Sequence, residues 1–106
     1  MAYQQVLTAL ADPTRRQIFE SLRDAPMSVS QIATHATVSR PAVSQHLKVL
    51  ETAQLVNVQP RGTRRLYSVN NSGLAELRNY LDTFWDNALS AYAARIDALN
   101  NKENQS

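Results

Sequence analysis

The segment Ser28–Leu50, SVSQIATHATVSRPAVSQHLKVL, runs directly into a short stretch carrying Arg61, Gly62, Arg64 and Arg65, and this pairing constrains the fold more than any other feature. Apolar spacing divides the segment into a helix, a tight turn at Thr37-Val38 and a second helix opening at Ser39. From Leu55 to Val69 the helical spacing gives way to β-branched and aromatic residues, broken at Pro60-Arg61-Gly62-Thr63. That pattern predicts a hairpin with glycine supplying a positive φ at its tip. Two short helices meeting at a turn present one of them to a DNA major groove, and a basic ribbon beside them reaches backbone phosphate.

Upstream, residues 2–10 suit a short helix with Val6, Leu7 and Leu10 on one face. Asp12-Pro13 marks the start of the next helix, because aspartate caps free amides and proline fits the first turn. It is expected to run to about Arg23, with Ile18, Phe19 and Leu22 inward. Ser28 or Ser30 caps the third helix, whose Ile32 and Ala33 face the core. Ser39 caps the fourth. There Val43, Leu47 and Leu50 stand at i, i+4 and i+7 and define the buried stripe. At about 100° per residue, Pro41, Ser44, Gln45 and Lys48 then point outward.

On that outward face Ser44 and Gln45 are suited to base edges, glutamine pairing bidentately with adenine. Arg40 reaches guanine or phosphate, and Lys48 meets phosphate beside Ser39. In the hairpin, Arg61, Thr63, Arg64 and Arg65 are the candidates for the DNA backbone or a narrow minor groove. The bland alternatives are a solvated helix face and charge protection of an edge strand.

Charge follows the same division. Residues 1–70 hold eight Lys/Arg against four Asp/Glu, giving +4, and residues 71–106 hold three against five, giving −2. A basic half is what phosphate binding would produce. At 106 residues and 43% apolar content the chain suits one globular domain over residues 1–100, with a flexible polar tail at 101–106. The absence of cysteine rules out disulfides, thiolate metal sites and thiol redox switching. No segment resembles an export signal or a membrane span, so no membrane insertion is expected and a cytoplasmic location is.

The motifs Asp12-Pro13-Thr14-Arg15, then Ser39 through Leu50 (SRPAVSQHLKVL), then Arg61 through Val69 (RGTRRLYSV), resemble the ArsR/SmtB family of bacterial winged helix-turn-helix repressors. The likeness is close over residues 3–70 and holds by pattern alone for the C-terminal helix. It implies a mainly α fold with a small β-hairpin, the DNA-binding motif lying at about 28–69 and dimerisation helices at about 3–11 and 73–99. It further implies a homodimeric repressor of its target promoters, with Arg40, Ser44 and Gln45 reading DNA and the wing on the backbone. Many members sense metal through a cysteine motif before the recognition helix, where this chain has Pro26-Met27-Ser28-Val29-Ser30-Gln31. Others use aspartate and histidine on the last helix, which here carries Asp82, Asp86 and Asp97 but no histidine. Carboxylates alone on one helix make a poor zinc site, and the two histidines, His35 and His46, stand on different helices without a third ligand. No metal site and no cofactor are expected.

From Ser72 or Gly73 to Leu99, apolar residues recur at helical spacing over about 27 residues, a helix of about 40 Å that outruns a small winged domain. Leu81, Phe84, Trp85, Ala88, Leu89, Tyr92 and Ile96, with Val6, Leu7 and Leu10, form the expected dimer interface. The alternative is a return of this helix across its own domain. Tyr80, Phe84 and Trp85 are also candidates to line a pocket for an organic inducer, and a sequestering protein partner is the other route to release. An enzyme is excluded: there is no cysteine nucleophile, no histidine beside a serine–acid set, and no glycine-rich phosphate loop. A winged-helix module binding protein or RNA is the remaining alternative.

Overall fold

The structure, a computed structural model, describes residues 2–104, without the side chains of Ala2, Glu103 and Asn104. The order of elements is α1 (Ala2–Ala11), α2 (Pro13–Ser21), β1 (Met27–Ser28), α3 (Val29–His35), α4 (Arg40–Thr52), β2 (Val56–Arg61), β3 (Arg64–Val69) and α5 (Asn71–Asn104).

Each helix starts where its cap dictates. Asp12 lies in extended backbone and its Oδ1 accepts from the Thr14 and Arg15 amides at 2.9 and 3.1 Å, with Pro13 in the first turn. Ser28 and Gln31 form a reciprocal capping box: Ser28 Oγ accepts from the Gln31 amide, and the Ser28 amide donates to Gln31 Oε1. Of the two serines proposed as caps for α3, Ser28 is therefore the one used. Ser39 caps α4 by accepting from the Ala42 amide at 3.3 Å. Helix α2 ends at Ser21, two residues before the expected Arg23, because Leu22 and Arg23 donate to Phe19 and Glu20 carbonyls in tightened terminal turns.

The core gathers one residue or more from every helix up to α4. Val6, Ala9, Ile18, Leu22, Ile32, Val43, Leu47, Leu50, Ala53, Leu55 and Val56 are all buried. Leu10, Phe19, Ala33, Leu74 and Leu77 pack half-buried around them. Val6, expected at the dimer interface, has no accessible surface in the single chain and belongs to this core. Helix α1 spends one face on the domain itself, leaving Leu7 exposed on the other.

The sheet has three antiparallel strands in the order β1-β3-β2. Strand β1 pairs Met27 with Tyr67 and Ser28 with Leu66. Two residues carry no alternation pattern, so β1 is invisible to periodicity. The hairpin is tighter than expected: Arg61 pairs with Arg64, leaving only Gly62-Thr63 as the loop, with Gly62 at φ 62°. Pro60 and Arg61 thus belong to β2. In a two-residue hairpin the closing pair exchanges hydrogen bonds, so the position before it turns its amide outward. Proline at position 60 of the edge strand loses nothing there.

Helix α5 runs 34 residues, about 51 Å, and gives the chain an extent of 76 Å along its longest axis. It continues through Asn104, so residues 101–104, expected as flexible tail, are helical; 105 and 106 lie outside the described residues. Only its beginning meets the rest of the chain, chiefly α1, with the Tyr3 and Tyr80 rings stacked at 4.2 Å and 8°. All side chains described from Tyr80 onward are exposed, so the helix does not return across its own domain.

Candidate DNA interface

The recognition helix α4 is anchored by Val43, Leu47 and Leu50, none of which retains accessible surface. With that stripe fixed inward, Ser39, Arg40, Ser44, Gln45 and Lys48 are all exposed, as the spacing predicts. His46, at the edge of the stripe, is half-buried. Its imidazole and the Arg15 guanidinium add to the effect of the Arg15 and Thr14 amides, and together they hold the Asp12 carboxyl below the usual carboxylate range. The Arg15 amide bond is the largest of these influences.

The structure brings two of the sequence-derived groups together. A cleft of about 410 Å³ is bordered by Arg40 of α4, by Thr63, Arg64 and Arg65 of the hairpin, and by Ser28, Val29, Ser30 and Gln31 at the start of α3. Four of the proposed DNA-contacting residues therefore share one concave, basic surface. Among the described residues no acidic side chain borders this cleft. Arg61 sits beside it, paired across the loop with Arg64. Lys48 is placed differently: it borders a groove between α4 and α1 with Gln4, Gln5, Thr8, Val49 and Thr52.

Not every base of the basic half is available to phosphate. Arg15 Nε donates to the Ala9 carbonyl at 2.7 Å, and Arg16 Nη1 donates to the Leu10 carbonyl at 2.7 Å. Both guanidinium groups close the C-terminal end of α1, where helix carbonyls lack partners. A charge count cannot see this, because the two arginines lie in the next helix and meet α1 only through the one-residue corner at Asp12.

On α5, Leu81, Phe84, Trp85, Leu89, Tyr92, Ile96 and Leu99 are exposed large apolar side chains, and Ala88 is exposed among them. Tyr80 stacks on Tyr3, whereas Phe84 and Trp85 are 62% and 63% exposed, so among the described residues of one chain these aromatics enclose no inducer pocket. The positions Leu74, Leu77, Leu81, Trp85, Ala88, Tyr92, Ile96 and Leu99 follow a 3-4-4 spacing. That 11-residue period, close to the helix's own, lays them along one straight stripe. Helical spacing marks the residues singly, and only their common period shows that the stripe is straight. Among the described residues no group of three or more His, Asp or Glu side chains is placed to hold a metal ion.

Sequence comparison matches residues 12–58 to the arsR family of bacterial regulatory proteins. The chain is 57% identical over 90 residues to the HTH-type transcriptional regulator Rv2034 of Mycobacterium tuberculosis, covering 85% of this chain and 84% of that one. It is 34% identical over 79 residues to the transcriptional repressor SdpR of Bacillus subtilis, covering 74% and 88%. Among solved structures, an ArsR-like transcriptional regulator from Rhodococcus sp. RHA1 superposes with a TM-score of 0.75 at 32% identity, over 86% of this chain and 89% of that one. The homodimeric winged helix-turn-helix DNA-binding domain Mb0332 of Mycobacterium bovis superposes with a TM-score of 0.65 at 28% identity, over 80% and 79%. With its winged helix-turn-helix fold and these relatives, the chain belongs to the ArsR family of DNA-binding transcriptional regulators and is not an enzyme.

Proposed function

We propose that the protein is a homodimeric repressor that binds a pseudo-palindromic operator and is controlled without a metal ion. Each protomer reads one half-site: Arg40, Ser44 and Gln45 address base edges in the major groove, and Ser39, Lys48, Arg61, Thr63, Arg64 and Arg65 hold the backbone on either side. The observation that carries this reading is the shared cleft of Arg40 with Thr63, Arg64 and Arg65, which joins the start of the reading helix to the wing in one basic surface.

The dimer reading is supported by the uncovered apolar stripe of α5, for which a second copy is the simplest partner, and by the homodimeric state of the Mycobacterium bovis relative. Two-fold symmetry would set the recognition helices about 34–36 Å apart, one turn of DNA. Metal-independent control follows from the missing cysteine and from carboxylates that lack an imidazole or thiolate partner on α5. Release then falls to an organic inducer bound between protomers or to a sequestering protein. A DNA regulator of this kind acts in the cytoplasm.

Fluorescence anisotropy with the DNA upstream of the protein's own coding sequence, against a scrambled duplex and across a salt series, tests the reading. Promoter binding about a hundredfold tighter, with a steep salt slope, is the expected result. Gln45→Ala should then lose about 1–3 kcal/mol of that discrimination. Salt-insensitive binding, or none to a random-sequence pool, would overturn it.

A further inference from the structure

We infer that Gly73 is a positioning residue for DNA reading: its bare Cα lets the first turn of α5 seat on the C-terminal carbonyls of the recognition helix, and this seat sets the angle at which a dimer presents its two recognition helices. The inference rests on the dimer reading above and adds to it the residue that fixes the geometry.

The end of α4 is an unusually determined piece of backbone. Gln54 takes φ 60°, the left-handed conformation that ends many helices, and the Leu55 amide reaches back to the Leu50 carbonyl at 2.9 Å. The Ala53 and Gln54 carbonyls are thereby turned toward the start of α5. The Gly73 amide donates to the Gln54 carbonyl at 2.9 Å. Two further bonds tie the same corner: the Asn70 amide donates to the Leu55 carbonyl at 2.9 Å, and Asn70 Oδ1 accepts from the Ser72 amide at 2.9 Å.

Gly73 is buried, and a Cβ built on it would stand 2.6 Å from the Ala53 carbonyl oxygen and 2.8 Å from that of Gln54. Both are backbone atoms of the recognition helix's end, so no side-chain rotation relieves the overlap. Restoring ordinary contact needs about 0.8 Å of separation. Taken across one helical turn of about 5.4 Å, that is a tilt of about 8° between α4 and α5. About 30 Å further along α5, within the exposed stripe, the same tilt moves the helix by about 4 Å. That exceeds the spacing of one base pair, about 3.4 Å, in a half-site separation that permits little slack. A glycine chosen only for close packing predicts a local loss of stability. A glycine that sets an angle also predicts that the two DNA-reading halves move relative to each other.

The chain's lack of cysteine makes this measurable. His35→Cys, at the exposed end of α3, places one spin label in each DNA-reading half. Double electron–electron resonance on the full chain then reads the distance between the two halves in solution, with sedimentation velocity and circular dichroism on the same samples. The expected result is that His35→Cys/Gly73→Ala remains a folded dimer while the interlabel distance shifts by on the order of 4 Å or its distribution broadens. An unchanged distribution in a folded dimer overturns the inference. So does a folded monomer, because the glycine would then support association rather than angle. If the double variant does not fold, Asn70→Ala serves instead. It removes the Ser72 cap at the same corner without adding volume and should broaden the distribution, and an unchanged one overturns the inference. A monomeric His35→Cys parent would remove the dimer reading itself, and sedimentation alone distinguishes that outcome.

Discussion

The two halves of this molecule use the same kind of amphipathic helix and end in opposite states. From α1 to β2, apolar stripes close on one another, and Val6, Val43, Leu47, Leu50 and Leu55 retain no accessible surface. Along α5 the stripe is as regular, yet Trp85 and Tyr92 remain 63–65% exposed. The difference lies in what faces each helix, not in its composition. Short connections such as the single residue between α1 and α2 force the early helices into contact, whereas a straight helix of about 51 Å outruns the domain it starts from. The first half is satisfied within the chain. The second is left uncovered within the chain.

Stability should divide between the two halves in the same way. Leu47→Ala should cost about 2–5 kcal/mol, because it opens a cavity where every neighbour is already packed. In a domain of this size that lowers the thermal midpoint by roughly 10 °C or more, read by calorimetry. Trp85→Ala should instead weaken self-association, by about 2 kcal/mol or some thirtyfold in dissociation constant, measured by sedimentation equilibrium. The thermal midpoint of the parent chain should rise with protein concentration, and that dependence should fade in Trp85→Ala. Equal, concentration-independent losses in both variants would mean that the α5 stripe supports its own domain after all.

What the sequence shows follows the same division. Local rules go far in the first half: Asp12 and Ser39 cap the helices they are expected to cap, Ser28 is one of the two serines offered for α3, and the i, i+4, i+7 stripe of α4 is buried throughout. The outward face of α4 follows from that stripe. Packing between elements is not legible in the same way. Strand β1 is too short to show a period, and Val6 looks like any other residue of an amphipathic helix until the core closes over it. The charge count only includes Arg15 and Arg16 in the basic half, residues 1–70, and the corner at Asp12 reveals that α1 carbonyls hold them. For the candidate interface, exposure of Arg40, Ser44 and Gln45 is readable, but the joining of Arg40 to the wing tip needs β3 placed beside α3.

The two classes of arginine should also behave differently at the DNA surface. Replacing Arg61 and Arg64 with alanine should reduce the slope of log affinity against log salt by about 0.9 for each phosphate left without its arginine, for specific and scrambled duplexes alike. Arg16→Ala removes the same formal charge as either wing replacement alone but frees only the Leu10 carbonyl, so its slope should stay near that of the parent. Anisotropy titrations across a salt series separate the two. If Arg16→Ala flattens the slope as much as a wing variant does, net charge rather than position governs the binding.

The smallest expected effect lies at the corner between α1 and α2, where the Asp12 carboxylate caps α2. The Asp12 carboxyl is kept below its ordinary range, chiefly because it accepts from the Arg15 amide, and its charge sits at the positive end of α2. Since the folded form holds the proton less tightly than the unfolded chain, the stabilisation is complete above the ordinary carboxylate value. It is lost as pH falls through the lowered one. Asparagine at position 12 keeps a good cap but cannot ionise. Asp12→Asn should therefore melt slightly below the parent at neutral pH, and the gap should narrow as pH falls below the ordinary carboxylate range. A gap that does not narrow as the pH falls below the ordinary carboxylate range would show that the cap works through geometry alone, and that the charge of Asp12 adds nothing to the half of the molecule that is complete by itself.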